Sequence, residues 1–202
     1  MGSVKLLLKI MWRRMYSQNP IFDEFLRGKK MLDVGCGQGE ILRLAKDLGT
    51  GLDLNARVVN ELKNEGLNIH LGNACSLPFE GEMFDVVNCK NVIEHLLPED
   101  ARKMLAEMAR VLKPGGQIVL MTPTEYTVWN TFGHVKPYTP AAVSKLFRKQ
   151  SLESFDSINN LSMENHVYLG KWSGRLAFFT SCWLCQGLPW LRGMYLMIIT
   201  KK

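Results

Sequence analysis

Leu32-Asp33-Val34-Gly35-Cys36-Gly37-Gln38-Gly39-Glu40 restricts what this chain can fold into more than any other stretch. A short apolar strand runs into a turn with glycine at alternate positions, and an amphipathic helical pattern follows. Without a Cβ, the backbone at such positions can turn sharply and a ligand can lie against it. The helix start brings free N–H groups and a positive dipole end to the same place, which suits an anionic ligand group. A dinucleotide-binding fingerprint would need a third glycine where Glu40 stands. A phosphate-binding P-loop would need Gly-Lys-Ser/Thr, and the chain has no such run. What remains is an acid followed by Gly-x-Gly-x-Gly after a strand.

Downstream segments narrow the reading. Gly51-Leu52-Asp53-Leu54 reads as a second strand ending in an acid, 20 positions after Asp33. That is the spacing of a ribose-binding carboxylate in a βαβ unit. Leu71 to Phe79 reads as a turn, Phe84 to Leu96 as a fourth strand with the turn after it, and Arg110 to Gly116 as the approach to a fifth. In this order the five segments resemble the motifs of the class I, Rossmann-like S-adenosylmethionine-dependent methyltransferases. The likeness is to the small-molecule and quinone-biosynthesis type, which carries a methyltransferase type 11 domain. The resemblance implies S-adenosyl-L-methionine as cofactor, with Asp33 fixing the turn and Gly35, Gly37 and Gly39 beneath its methionine and ribose. It further implies Asp53, with Leu54 beside it, at the ribose hydroxyls, and Asn73 with the Ala74 N–H at the adenine edge. Carbonyls near Lys90 and Asn91 would receive the ammonium. Asn73 departs from the aspartate usual in that family, yet its side-chain oxygen can still accept a hydrogen bond.

The alternation of short apolar runs and helical patterns argues for a parallel sheet with crossover helices. The fold class expected is α/β, doubly wound, with helices on both faces; the resemblance adds seven strands, the last inserted antiparallel. Residues 1–26 are expected to form an N-terminal helical extension and residues 27–202 the methyltransferase domain. Ile41, Leu42, Leu44, Ala45 and Leu48 are predicted to be the buried face of a first core helix, and Val58, Val59 and Leu62 that of a second, ended by Gly66. A third begins at Pro98 and buries Ala101, Met104, Leu105, Met108 and Leu112. Gln117 to Met121 is a fifth strand. Thr139 and Pro140 cap a helix running through Gln150. Residues 152–161 and 194–200 supply the last strands.

Charge divides unevenly. The net charge is +6, yet residues 1–16 carry four basic residues and residues 171–202 five, with no acid in either, so the stretch between is at −3. A nucleic-acid enzyme should place its basic footprint around the catalytic face, so nucleic acid is disfavoured as substrate. Val4, Leu7, Leu8, Met11 and Met15 fall at helical spacing with Lys5, Lys9 and Arg13 on another face, a basic amphipathic pattern able to lie in a membrane interface. The 16 uncharged residues from Leu176 to Leu191 are too few for a span and are broken by Gly187-Leu188-Pro189. The expected location is cytoplasmic, peripheral at a membrane surface if the basic apolar ends engage one, with a monomer or homodimer as the assembly. Five scattered cysteines suit a reducing compartment. Cys182 and Cys185 read as buried structural residues rather than a redox pair.

Between Thr122 and Tyr138 lies an irregular stretch leaving the carboxyl end of a strand, where open α/β sheets bind ligands. Its His134-Val135-Lys136-Pro137-Tyr138-Thr139 is similar to a His-x-x-x-Tyr/Phe-Thr segment of the same family, so His134 and Tyr138 are the acceptor-side catalytic candidates. His95 reads as structural, fixing the turn into a helix. No cluster with zinc-site spacing is present, and the acid pair of metal-dependent catechol-type enzymes is missing, so metal-free in-line transfer to a small-molecule or lipid-like acceptor is the expectation. The alternatives are an RNA-modifying methyltransferase and a cofactor-binding module without catalysis.

Overall fold

The computed structural model describes residues 2–16, 19–148, 157–170 and 192–202. Seven strands form one sheet: β1 (Met31–Val34), β2 (Gly49–Asp53), β3 (Ile69–Leu71), β4 (Phe84–Lys90), β5 (Leu112–Pro123), β6 (Leu161–Gly170) and β7 (Arg192–Lys201). Their order is β3-β2-β1-β4-β5-β7-β6. Strands β1 to β5 pair in parallel, and β7 lies antiparallel between β5 and β6. The expected doubly wound α/β architecture, with its inserted antiparallel strand, is therefore the observed one.

Residue alternation along the strands divides the core between the two faces. Leu32, Val34, Val87, Cys89, Ile118 and Leu120 face the helix α4 (Pro98–Val111), whose Ala101, Met104, Leu105 and Met108 are buried as the sequence predicts. The fifth predicted core residue, Leu112, is also buried but opens β5. Met31, Val86, Val119, Met121 and Leu196 face the other way, against Leu6, Leu7 and Ile10 of α1 (Gly2–Tyr16) and the tight helical turn Phe22–Leu26. Each such side chain, taken from water to full burial, contributes about 1.5–3 kcal/mol. Helix α1 thus packs on the sheet through Leu6, Leu7 and Ile10, while Val4 and Leu8, assigned to the same apolar stripe by spacing, are exposed. Lys9 pairs with Glu24 at 3.3 Å.

Three elements differ from expectation. Helix α2 (Glu40–Ala45) ends after six residues because Lys46 adopts φ 52°, outside the helical region; Leu42 is buried, whereas Leu44 and Leu48 are exposed. Helix α5 (Pro140–Lys145) begins as predicted, with Thr139 Oγ1 accepting from the Ala142 N–H at 3.2 Å, but stops before Gln150. Of the strand expected at 152–161, residues 152–156 lie outside the described residues, 157–160 are not extended in a ladder, and β6 begins at Leu161. Helix α3 (Ala56–Asn64) follows its predicted face, with Val59 and Leu62 buried, Asn55 as its N-cap at 3.0 Å and Gly66 at φ 80° just beyond its end. The segment 176–191 and Cys182 and Cys185 lie outside the described residues. Among those residues no helix is long and apolar enough to cross a membrane.

Candidate active site

The carboxyl ends of β1, β2, β4 and β5 lie on one edge of the sheet, since all four run parallel. The glycine turn leaves β1 there. Gly35 has φ 67°, and a Cβ at that position would stand 2.3 Å from Val92 Cγ2, so even alanine is excluded without repacking. Gly37, at φ 49°, has open space where a Cβ would project. Its N–H donates to Asp53 Oδ2 at 3.0 Å, while the Asn55 N–H donates to Asp53 Oδ1 at 2.9 Å. Two backbone donors therefore fix the Asp53 carboxylate, and each oxygen keeps a further lone pair for a ligand hydroxyl.

Beneath the turn, Asp33 is buried and accepts from Asn88 Nδ2 at 2.7 Å. The register pairing Asp33 with Asn88 across β1 and β4 makes this contact. Burial pushes the Asp33 carboxyl up to about 6, against the opposing pull of Asn88 and Lys90. Because this lies above the ordinary value of about 3.9, folding favours the protonated acid. The stability it contributes is fully present below about pH 4 and is lost as pH rises through about 6. Asp33→Asn, neutral throughout, should flatten that part of the profile. Urea midpoints at pH 4 and pH 7 check this: the native chain should lose more stability than the variant across the interval, and equal losses would contradict it.

A cleft of about 530 Å³ opens beside the turn, within the ordinary size of small-molecule sites. Asp33, Gly35, Lys90 and Asn91 border it, together with Cys36, whose thiol burial pushes up to about 12 and so keeps protonated. Asn91 adopts φ 58° and donates its N–H to the Met121 carbonyl at 3.0 Å, joining the ends of β4 and β5. Asp53 does not border this cleft; it is bonded to Gly37, whose neighbours Cys36 and Gln38 do. Leu54 is exposed, and Asn73 and Ala74 lie beyond the end of β3. Asn73 Oδ1 accepts from the Cys75 N–H at 2.9 Å, which shapes the turn.

A second cavity, about 390 Å³, adjoins the first through Asn91 and Met194. Glu94, His95, Thr131 and His134 border it. The Val135 N–H donates to the Glu94 carbonyl at 2.7 Å, so the irregular loop is tied over the end of β4. His134 Nδ1 lies 2.6 Å from the Val128 carbonyl, and the His95 and His134 rings meet edge to face at 4.6 Å. Tyr138 sits away from this wall: it is buried in the α4 side of the core and donates its hydroxyl to the Leu96 carbonyl at 2.9 Å, and burial pushes its phenol up to about 12. The sequence reading does not identify Asn88 as the partner of Asp33, or Glu94 as a member of the cavity wall. The first depends on strand register, and the second on where a loop 40 residues further along returns.

Residues 32–120 match the family model of the methyltransferase domain. Among curated proteins, the chain is 33% identical over 107 residues to the probable tRNA methyltransferase 9B of Mus musculus, covering 50% of this chain and 24% of that protein. It is 31% identical over 106 residues to the ubiquinone biosynthesis O-methyltransferase of Coxiella burnetii, covering 48% and 44%. The matched segment thus spans less than half the length of either relative. Two solved structures share the fold. A SAM-dependent methyltransferase from Archaeoglobus fulgidus aligns with a TM-score of 0.62 at 21% identity, covering 97% of this chain and 93% of that one. A putative methyltransferase in complex with the Haloferax volcanii Trm112 methyltransferase activator aligns with 0.63 at 19%, covering 88% and 84%. Motif order, sheet topology and these likenesses agree: residues 32–120 carry a methyltransferase domain, on the fold shared with Rossmann-like S-adenosylmethionine-dependent methyltransferases.

Proposed function

We propose that this protein transfers a methyl group from S-adenosyl-L-methionine to a small-molecule or lipid-like acceptor. The observation that carries the reading is the pair of adjoining cavities, one on the glycine turn and one under the His134 loop, joined at Asn91 and Met194. The residues present fit the cofactor. Gly37 leaves room for a ligand, Asp53 is held with lone pairs to spare, and Asn88 Oδ1 is buried with no hydrogen-bond partner among the described residues. When bound, the cofactor supplies an electrophilic methyl on a sulfonium. The chain's own part is alignment and exclusion of water. Asp53 takes the ribose hydroxyls, Gly35, Gly37 and Gly39 give close approach, and carbonyls around Lys90 and Asn91 receive the ammonium. Asn73 Oδ1, through the one lone pair left by the Cys75 bond, accepts from the adenine amino group, and the Ala74 N–H donates to a ring nitrogen.

On the acceptor side we assign His134. Its Nδ1 faces a carbonyl, which can only accept, so Nδ1 carries the proton and Nε2 keeps a lone pair. Tyr138, buried and already bonded to Leu96, positions the loop instead.

A lipid-like acceptor is favoured by the surface beside the cavity. Trp129 and Phe132, on the same loop as His134, are exposed at 63% and 106%, with Tyr126 at 46%. Aromatic side chains of this kind lodge in membrane interfaces, and basic residues add about 1 kcal/mol each near an anionic surface. Peripheral contact through this loop is therefore part of the proposal. Sedimentation with anionic vesicles should carry the protein down, and Trp129→Ser with Phe132→Ser should leave most of it in the supernatant. A native chain that stays in the supernatant at every lipid composition would favour a water-soluble acceptor.

RNA is the second reading, favoured by the likeness to a probable tRNA methyltransferase and to a chain bound to a methyltransferase activator. A cell extract incubated with radiolabelled S-adenosylmethionine separates the two. Label should enter the organic-solvent-soluble fraction only when the protein is added. Label in the nucleic-acid fraction would give the RNA reading, and none in any fraction a binding module without catalysis.

A further inference from the structure

Glu94 has an environment that the methyl-transfer reading leaves unexplained. Its side chain is wholly buried; Oε2 accepts from Thr122 Oγ1 at 3.0 Å, and Oε1 has no hydrogen-bond partner among the described residues. A buried polar atom left unpaired costs about 1–3 kcal/mol, and more when charged. Burial accordingly raises the Glu94 carboxyl above the usual carboxylate range. One donor atom each from Glu94, His95 and His134 lies within 4.8 Å of the others. Both imidazoles turn Nδ1 toward a backbone carbonyl, His134 toward Val128 at 2.6 Å and His95 toward Gly133 at 3.3 Å. Each Nδ1 is thereby protonated and each Nε2 keeps its lone pair. Metal-binding histidines are oriented in this way, by a carbonyl or carboxylate at the nitrogen that does not ligate.

We propose that Glu94, His95 and His134 bind one divalent transition-metal ion at the wall of the acceptor cavity. Two imidazoles and a carboxylate suit zinc, iron(II) or cobalt(II); magnesium and calcium take oxygen donors. Bonds of about 2.0–2.2 Å at tetrahedral angles put ligand atoms ~3.3–3.6 Å apart, so the three close on an ion with a movement of up to about 1 Å, which the exposed His95 is free to make. Oε1, which has no hydrogen-bond partner among the described residues, is the oxygen left to ligate the ion. Three protein ligands leave coordination positions open toward the cavity, where a hydroxyl oxygen of the acceptor can bind. That last role rests on the methyl-transfer reading; the binding site itself does not. The expectation of a metal-free site came from spacing along the chain, and His134 lies 39 residues beyond His95. Only the fold brings them together.

The full chain, stripped of metal by a chelator and dialysed, should take up one equivalent of Co²⁺ with visible d–d absorption. Glu94→Gln and His134→Ala should each weaken that uptake at least tenfold. S-adenosylhomocysteine binding, measured in parallel on the same samples, should be unchanged. Should Glu94→Gln fail to fold, X-ray absorption of the Zn²⁺-loaded native chain takes its place and should show nitrogen and oxygen neighbours, imidazole among them, and no sulfur. No stoichiometric Co²⁺ uptake by the native chain, full affinity in His134→Ala, or sulfur at the metal would each overturn the proposal. If Co²⁺ binding fails while S-adenosylhomocysteine still binds, only the metal site is lost. The reverse result removes the cofactor reading and leaves the metal site standing.

Discussion

Asp53→Ala should weaken S-adenosylhomocysteine binding by at least tenfold. The carboxylate is already held by the Gly37 and Asn55 N–H groups, so on the proposed reading it would meet the ribose without reorganisation. Two hydrogen bonds to a charged group, at about 1.5 kcal/mol each, correspond to roughly a 150-fold loss. Part of that loss passes through Gly37, whose N–H also loses its acceptor. Asp53→Asn keeps one oxygen and should lie between the native chain and the alanine variant. Calorimetric titration measures all three. Equal affinity across them would remove Asp53 from the cofactor site, and preferential binding of NAD by the native chain would overturn the cofactor itself.

His134→Ala should lower the turnover of methyl transfer by about 100-fold, the lower bound for losing acid–base help to the acceptor, whether Nε2 takes the proton itself or holds an ion that acidifies the hydroxyl. Affinity for S-adenosylhomocysteine should be unchanged, because His134 borders the second cavity and not the first. Tyr138→Phe removes only the hydroxyl donated to Leu96 and should cost about 1 kcal/mol of stability with little effect on turnover. Steady-state assays with a methyl-accepting extract give both numbers. The contrary pattern, loss in Tyr138→Phe and none in His134→Ala, would exchange the two residues' roles.

What the sequence revealed was local in origin. The glycine turn, the acid 20 residues beyond Asp33 and the four-residue rhythm of Ala101, Met104, Leu105 and Met108 each depend on neighbours within a few turns or one βαβ unit. These held in the fold. Leu44 and Leu48 did not, because a single backbone excursion at Lys46 ends α2 before the rhythm can bury them. The bond between Asp33 and Asn88 needed the β1–β4 register. The meeting of Glu94 and His95 with His134 needed the return of a loop whose path is set by the Val135 bond to Glu94 and the His134 bond to Val128. Long-range register and loop closure leave little trace in composition or periodicity, and the walls of the two cavities are built from both.

A structure of the chain with S-adenosylhomocysteine bound tests the central claim most directly. The ribose hydroxyls should lie within hydrogen-bond distance of both Asp53 oxygens, the homocysteine end should run along Gly35 toward Asn91, and the sulfur should face the cavity of His134. A ligand seated away from the glycine turn, or one whose ribose makes no contact with Asp53, would contradict it.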